Sequence, residues 1–339
     1  MNKHVLVVGA CNVDIGGRPT ALLIPGDSNP GKISLSAGGV GRNIAHNLAL
    51  LGADVQLITA LGSDAFAAFL EKGLAELSIN LEGSLRSQIE DTSTYLYVAD
   101  QNGDMKIAVN DMGIYAALTP EFLSRSEEAI RSADAVVLDA NLPAESIYYV
   151  AKTAQGPVLV DPVSGAKAPR LMAALPYISY LTPNLLEAEV LGNLEHETAK
   201  HDICGAANSL LKAGVKNVII TLGEKGAYAV GQDSEGDVSP GDEAADDESP
   251  GDEAADDNSS DGNLSGTFLP AIQPESAIVS ASGAGDALMA GLCAGVLEGR
   301  PLEECVRLGM AASAVTLECF SANNPELNWD EVKRRAEIN

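Results

Sequence analysis

Aromatic side chains are scarce in this 339-residue chain, at 4%, and basic residues are outnumbered, 21 against 48 acidic ones. With so few rings, the 46% of hydrophobic residues must supply a core of Val, Leu, Ile and Ala, which suits a parallel sheet covered by helices on both faces. A formal net charge of −27 argues against nucleic acid as a partner, because phosphate is met by Lys and Arg. Long apolar runs are missing as well; none approaches membrane-spanning length, so no membrane partner is expected. The opening stretch Met1–Gly9 is apolar for too short a run to be a signal peptide and reads as a buried first strand. Cysteine is sparse. Cys11, Cys204, Cys293, Cys305 and Cys319 are odd in number and form no CxxC pair, and His4, His46, His196 and His201 have neither zinc nor triad spacing. Free thiols in a reducing, cytoplasmic setting are the expectation.

The acidity is local. Residues 233–261 carry 13 acidic side chains and no Lys or Arg, and without them 35 acidic residues face 21 basic ones, a net −14. Within that stretch Ser239–Glu248 is followed by a second copy, Ser249–Asp257. Such a segment has no hydrophobic payload large enough to offset the entropy of ordering, so residues 233–263 are expected to be a disordered acidic insert in a single domain spanning 1–339.

Elsewhere short apolar runs alternate with helical patterns. Strands are expected at Val5–Val8, Val55–Thr59, Ala135–Leu138, Val158–Val160, Ile178–Leu181, Val218–Thr221 and Ala277–Ser280. Helices are expected at Gly41–Leu51, Asp64–Leu77, Pro120–Arg131, Ala206–Ala213 and Gly285–Leu297. That rhythm predicts an α/β fold with a doubly wound, mostly parallel sheet flanked by helices. Two segments depart from it, about 15–36 and 92–112; the second holds Asn102-Gly103 between alternating runs, a hairpin signal. Strands outside the main rhythm can form a small β lid over a site.

The strongest chemical signal is Gly283-Ala284-Gly285-Asp286, where a small-residue turn opens a helix. Helix N-termini expose unpaired N–H groups and attract anions, and glycine lets the backbone approach a phosphoryl group. Asp286 in the first turn can accept the proton of an attacking hydroxyl while the Gly283, Ala284 and Gly285 amides hold the transferring group. An ordinary aspartate has a pKa near ~4 and would be ionised but weakly basic at neutral pH. Taken alone, the same four residues fit equally well a helix-favouring acid beside packing glycines. A nicotinamide-type GxGxxG is absent, since Gly9-Ala10-Cys11-Asn12 does not give the spacing. A second glycine cluster, Gly38-Gly39-Val40-Gly41-Arg42-Asn43, opens another helix with Asn43 in its first turn. Asn12 and Asp14 follow the first strand, where open α/β sheets bind ligands. Asp14 and Asn43 offer acceptors and donors for vicinal hydroxyls.

These motifs resemble the PfkB (ribokinase-like) carbohydrate and nucleoside kinases: Gly-Gly with a first-turn Asn near the start, GAGD near the end. Asn184-Leu185-Leu186-Glu187 is similar to that family's NxxE, and Thr221-Leu222-Gly223-Glu224-Lys225-Gly226 to its TxGxxG segment. The resemblance covers the chain apart from the acidic insert. It implies a ribokinase-like fold and ATP-dependent phosphoryl transfer with Asp286 as base. ATP would lie against Asn184, Thr221, Gly223, Gly226 and Asn324, with Mg2+ organised by Glu187 through water. It also leaves room for a monovalent cation and for a homodimer through the lid. Ser280-Ala281 stands where family members often have Asp-Thr, which puts the cation in doubt. The stretch Gly39–Ala45, with Arg42 where sugar kinases usually carry a small residue, is similar to the branch that phosphorylates pseudouridine. So are Asn12–Gly16, Ser28–Gly31 and Asn110–Met112. By that resemblance Asn12, Asp14, Gly38, Gly39 and Asn43 hold the ribose, while Asn110 and Asp111 meet the base. Asn110-Asp111 turning the chain is the plainer reading of that pair. Asp161 is read as a site-lining or turn-initiating residue, and Lys167 as solvated more readily than as a phosphate ligand. A sibling kinase for ribose, fructose or adenosine would keep the same motifs, and a non-catalytic nucleoside sensor would be expected to lose the base or the glycines.

Overall fold

The alternation within each strand sets the layers of the protein, whose computed structural model describes residues 3–192, 202–232 and 266–338. In His4–Val8, Val5 and Val7 enter one core while Leu6 and Val8 enter the other. Ala135–Asp139 repeats the pattern, with Ala135 and Val137 on one side and Val136 and Leu138 on the other. Successive side chains of a strand point to opposite faces, so a strand apolar at every position requires a helical layer on each. The helices Val40–Leu50, Ala65–Glu76, Ala284–Leu297 and Leu302–Leu317 supply the first layer, and Ala144–Thr153, Leu185–Leu191 and Ile203–Lys212 the second.

The eight strands of this sheet run in the order Thr267–Leu269, Ala227–Gly231, Asn217–Thr221, Tyr180–Leu181, Val158–Asp161, Ala135–Asp139, His4–Val8 and Asp54–Ile58. All neighbours pair parallel except at one edge, where Ala227–Gly231 is antiparallel to both its partners. His4–Val8 lies between Asp54–Ile58 and Ala135–Asp139, so the chain departs to opposite sides of the first strand. Such a switch point opens a crevice at the C-terminal strand ends.

The expected strand at Ala277–Ser280 is not one. The segment is held to the end of the Leu302–Leu317 helix by Val279 N donating to Leu317 O at 2.8 Å. Ile278 and Val279 are 64% and 53% exposed, because the segment borders a cleft and not a core. The stretch expected as one helix over Pro120–Arg131 is two, Pro120–Leu123 and Glu127–Ser132, joined by a tighter turn.

The two departures from the rhythm meet in a second sheet, ordered Gly31–Gly38, Asn12–Pro19, Thr94–Ala99 and Met105–Asp111. Its first strand begins at Asn12, directly after the main sheet's first strand. The register aligns Ser36, Asp14, Tyr95 and Asn110 across the four strands, on one face. The adjacent row, Leu35, Ile15, Leu96 and Val109, is on the opposite, apolar face. The acidic insert, residues 233–263, lies outside the described residues, and its flanking strands Ala227–Gly231 and Thr267–Leu269 pair with each other.

Candidate active site

The turn before the Ala284–Leu297 helix is forced by contact. Gly283, the N-cap, has φ 80°, and a Cβ there would stand 2.0 Å from Ala322 O. At Gly285 a Cβ would meet nothing within 4 Å, so the space beside the helix's first turn is open to a ligand. First-turn N–H groups have no intrahelical acceptor and carry the positive end of the helix dipole. Asp286 is set among them and is 8% exposed. Burial pushes its carboxyl up to about 7; the Asn43 hydrogen bond and the Arg42 charge oppose that rise, while Asp139 and Asp14 add to it. This is a stronger base than an ordinary aspartate.

The Val40–Leu50 helix brings Asn43 to that carboxylate, with Nδ2 donating to Asp286 Oδ2 at 2.6 Å. Asn43 Oδ1 is buried and has no donor. Asn12 Nδ2 donates to Asp14 Oδ1 at 2.7 Å. Gly38 packs so closely on Asp14 that a Cβ would be 2.3 Å from its Oδ2. Burial also raises Asp14, against the Asn12 hydrogen bond and the Arg42 charge. Asp139, not singled out in the sequence, ties these pieces together. Its Oδ2 accepts from Ala10 N and Gly41 N, both at 2.8 Å, and its Oδ1 from Asn141 N at 2.9 Å. The residue is wholly buried at the switch point, and burial raises its pKa despite those donors. A carboxylate closing an otherwise apolar strand was the signal that could have found it.

Two cavities open on the other side of Asp286. One, of about 220 Å³, is lined by Asp161, Thr182, Asn184, Glu187, Thr221, Gly285 and Asp286 among others. Asn184 and Glu187 form a capping box for the Leu185–Leu191 helix: Asn184 Oδ1 accepts from Glu187 N, and Glu187 Oε2 from Asn184 N. Burial raises Glu187 and, with nearby Asp286, raises Asp161 well above the ordinary aspartate value. The second is an apolar cleft of about 370 Å³ reaching from Thr221, Gly223 and Gly226 past Ile272, Ile278 and Ala281 to Ala284 and Gly285. Asn324 does not line that cleft. Its Nδ2 donates to Val315 O at 2.6 Å, and it borders a separate cavity with Glu318 and Arg335.

Asn110 and Asp111 line a third space, about 600 Å³, together with Met112, Asn141, Lys167 and Arg170. Lys167 is half-buried there, its Nζ donating to Asn141 Oδ1 at 2.5 Å, and burial lowers its pKa. It is therefore not the solvated lysine expected. Asn141 links this space to Asp139, and so to Ala10 and Gly41. A negative group at the Gly283 turn, a hydroxyl at Asp286 and a polar body beyond it could be held together by this layout.

The family model for pfkB family carbohydrate kinases matches residues 2–246 and 259–329. The pseudouridine kinase of Escherichia coli (strain K12) is 33% identical over 326 residues, covering 96% of this chain and 94% of that one. The Arabidopsis thaliana pseudouridine kinase is 28% identical, covering 98% and 95%. Among solved structures, Arabidopsis thaliana ribokinase complexed with ribose and ATP superposes with a TM-score of 0.79 at 23% identity, covering all of both chains. Agreement in fold and in sequence along nearly the whole length makes this chain a member of the pfkB family of carbohydrate kinases, and hence a phosphotransferase with an alcohol group as acceptor.

Proposed function

We propose that this kinase transfers the γ-phosphoryl of ATP to the 5′-hydroxyl of pseudouridine, with Asp286 as the general base. The observation that carries the reading is the Asp286 carboxyl beside an open helix N-terminus, raised by burial to about 7 and oriented by Asn43. A base works best with a pKa near the operating pH, so it orients the hydroxyl early and takes its proton as the bond to phosphorus forms. The first-turn amides of the Ala284–Leu297 helix face the charge that develops on the transferring group. Asp14 and the unpartnered Asn43 Oδ1 suit the ribose hydroxyls, for which both are acceptors.

The choice of nucleoside is supported by similarity to two pseudouridine kinases along nearly their whole length. Pseudouracil is a C-glycoside and presents an extra ring N–H. Asn110, Asp111, Asn141 and Lys167 line the space beyond the ribose residues and offer acceptors and donors to such a ring. Where a site leaves polar groups unpaired, the wrong ring is rejected by as much as ~10⁴-fold. The second sheet, with Asp14 and Asn110 on one face, would act as the lid that excludes water.

ATP is assigned to the apolar cleft at Thr221, Gly223 and Gly226, with its phosphates directed at Gly283–Asp286. Among the described residues no three His, Cys, Asp or Glu side chains cluster to make a metal cage. The carboxylates of Asp161 and Glu187 and the hydroxyls of Thr182 and Thr221 are hard oxygen donors, which suits Mg2+ held chiefly by phosphate and water. That ion would neutralise phosphate charge. Asp161 and Glu187 would orient its waters, and Asn184 would hold Glu187 in place.

The apolar outer face of the lid, with Ile33, Ile107 and Val109 at 78%, 59% and 60% exposure, is the surface we assign to pairing with a second copy. Sedimentation of the full chain with Ile33→Glu would yield monomer where the unaltered chain yields dimer. The function itself is tested by phosphorylation of pseudouridine, uridine, adenosine, ribose and fructose side by side. A kcat/KM for pseudouridine at least ~10-fold above the others is expected. Preference for ribose or fructose would reject the nucleoside reading and keep the kinase.

A further inference from the structure

Arg42 sits one residue before Asn43, yet its own hydrogen bonds go to protein. The side chain is buried at 5% exposure. Nη2 donates to Ala37 O, Nε to Gly38 O at 3.4 Å, and Nη1 to Asn323 Oδ1 at 2.8 Å. Asn323 passes the connection on, its Nδ2 donating to Asn43 O at 3.0 Å and to Asn47 Oδ1 at 2.8 Å. The next residue back, Ala322, is the one against whose carbonyl Gly283 is pressed. One planar, five-donor fork therefore joins the end of the Gly31–Gly38 strand, on which Asp14 packs, to the segment behind the Gly283–Asp286 turn. Asn43 and Asp286, bonded to each other, connect the same two regions.

We propose that Arg42 is a positioning residue of phosphoryl transfer, fixing the Ala37–Gly38 end of the acceptor-side strand relative to the Ala322–Asn323 segment that backs the phosphate turn. The inference rests on Asp286 being the base. Reaction requires the attacking oxygen and the phosphoryl group to be in line at near contact, and small misplacements cost rate steeply. A lysine keeps the charge here but loses the fork, since its ammonium is a single point of donation.

Charge gives the strut a second effect. Asp286 is faced by Asp14 from the second sheet, by Asp139 and Asp161 from the ends of their strands, and by Arg42 from the Val40–Leu50 helix. Glu187 lines the same cavity. His46, whose Nδ1 lies 3.3 Å from Arg42 Nη1, is lowered to about 4 by burial and by Arg42, and so is neutral at working pH. Arg42 is the cation in this group. Without it the surrounding carboxylates hold the proton on Asp286 to higher pH, and activity that needs the ionised base is lost on the acid side first.

The experiment is steady-state kinetics of the full chain from about pH 5.5 to about 9 for Arg42→Met, Arg42→Lys and Asn323→Ala, with Asp286→Asn as reference and circular dichroism to confirm folding. Arg42→Met should lower kcat ~30–100-fold, with KM for nucleoside and ATP changed less than ~5-fold, and move the acid limb of the kcat profile up by about one unit. Arg42→Lys should leave the limb with that of the unaltered chain while losing ~10-fold in kcat. Asn323→Ala should lose a similar factor in kcat with KM nearly constant. If Arg42→Met does not fold, the other two variants decide. A folded Arg42 variant with unaltered kcat and pH limb overturns the proposal, as does unaltered kcat in both Arg42→Lys and Asn323→Ala. Should Asp286→Asn prove active, it is the base assignment that fails. If that variant is dead while the Arg42 and Asn323 variants match the unaltered chain, this inference alone falls.

Discussion

On the acceptor side of Asp286 almost every polar group is already spoken for: Asn12 holds Asp14, Asn43 holds Asp286, Asp139 holds Ala10 and Gly41, and Arg42 ties a strand end to the Asn323 segment. On the nucleotide side the cleft is walled by Ile272, Ile278, Leu288, Met310 and Leu317, with Ile278 largely bare. Buried hydrogen bonds are directional and expensive to leave unmade, so the first region selects by geometry. An apolar cleft gains from being filled, with little demand on the shape of its occupant's polar edge. On the function proposed above, the two substrates would be recognised by different physics within one crevice, with Asp286 at the border.

Breaking the border should have the largest effect. Asp286→Ala is expected to lower kcat by ~10²–10⁴-fold, with nucleoside affinity measured by calorimetry changed less than ~5-fold. In the intact enzyme kcat/KM should climb with pH until about 7 and then level, following the raised carboxyl of Asp286. The same rise has a stability consequence. A carboxyl whose folded pKa exceeds its unfolded value favours the folded state most below the unfolded pKa, near 4, and that contribution is lost as pH rises to about 7. Asp286→Asn should therefore gain about 1–3 kcal/mol over the parent at pH 8, with little difference at pH 4, in urea unfolding.

A smaller loss, confined to one side, should follow from Asp14→Ala: KM for the nucleoside up ~10–100-fold and KM for ATP within ~3-fold. Ile278→Ala is its mirror image, raising KM for ATP ~3–10-fold and leaving the nucleoside constant unmoved. If either variant shifted both constants equally, the division of labour would be wrong. The smallest effect belongs to deletion of residues 236–262, with turnover within ~2-fold of the intact chain.

Much of this was readable beforehand, and for a definite reason. The β/α rhythm, the Gly283–Asp286 turn and the order of the four motifs depend on local spacing, which a sequence displays. Residues whose meaning arises across the fold were not readable. Asp139 closes an apolar strand and nothing nearby in sequence announces Ala10 or Gly41 as its donors. Arg42 and Asn323 are hundreds of residues apart. The pKa of Asp286 depends on burial, so the ordinary value assumed for an isolated aspartate missed its strength as a base. Ala277–Ser280 looked like a strand because its residues are apolar, whereas their partner is a cleft open to ligand.

The paired strands Ala227–Gly231 and Thr267–Leu269 have one more consequence. They lie at the antiparallel edge of the main sheet, remote in sheet order from the switch point, and hydrogen bonds between them keep their ends adjacent. A connection between ends held together in this way costs closure entropy that grows only with the logarithm of its length, ~0.6 kcal/mol for each doubling. A ten-residue unit such as Ser239–Glu248 can thus be copied or lost at a cost far below the stability of the domain. The edge hairpin is thus a port at which inserted sequence of almost any length is tolerated at small cost to the fold.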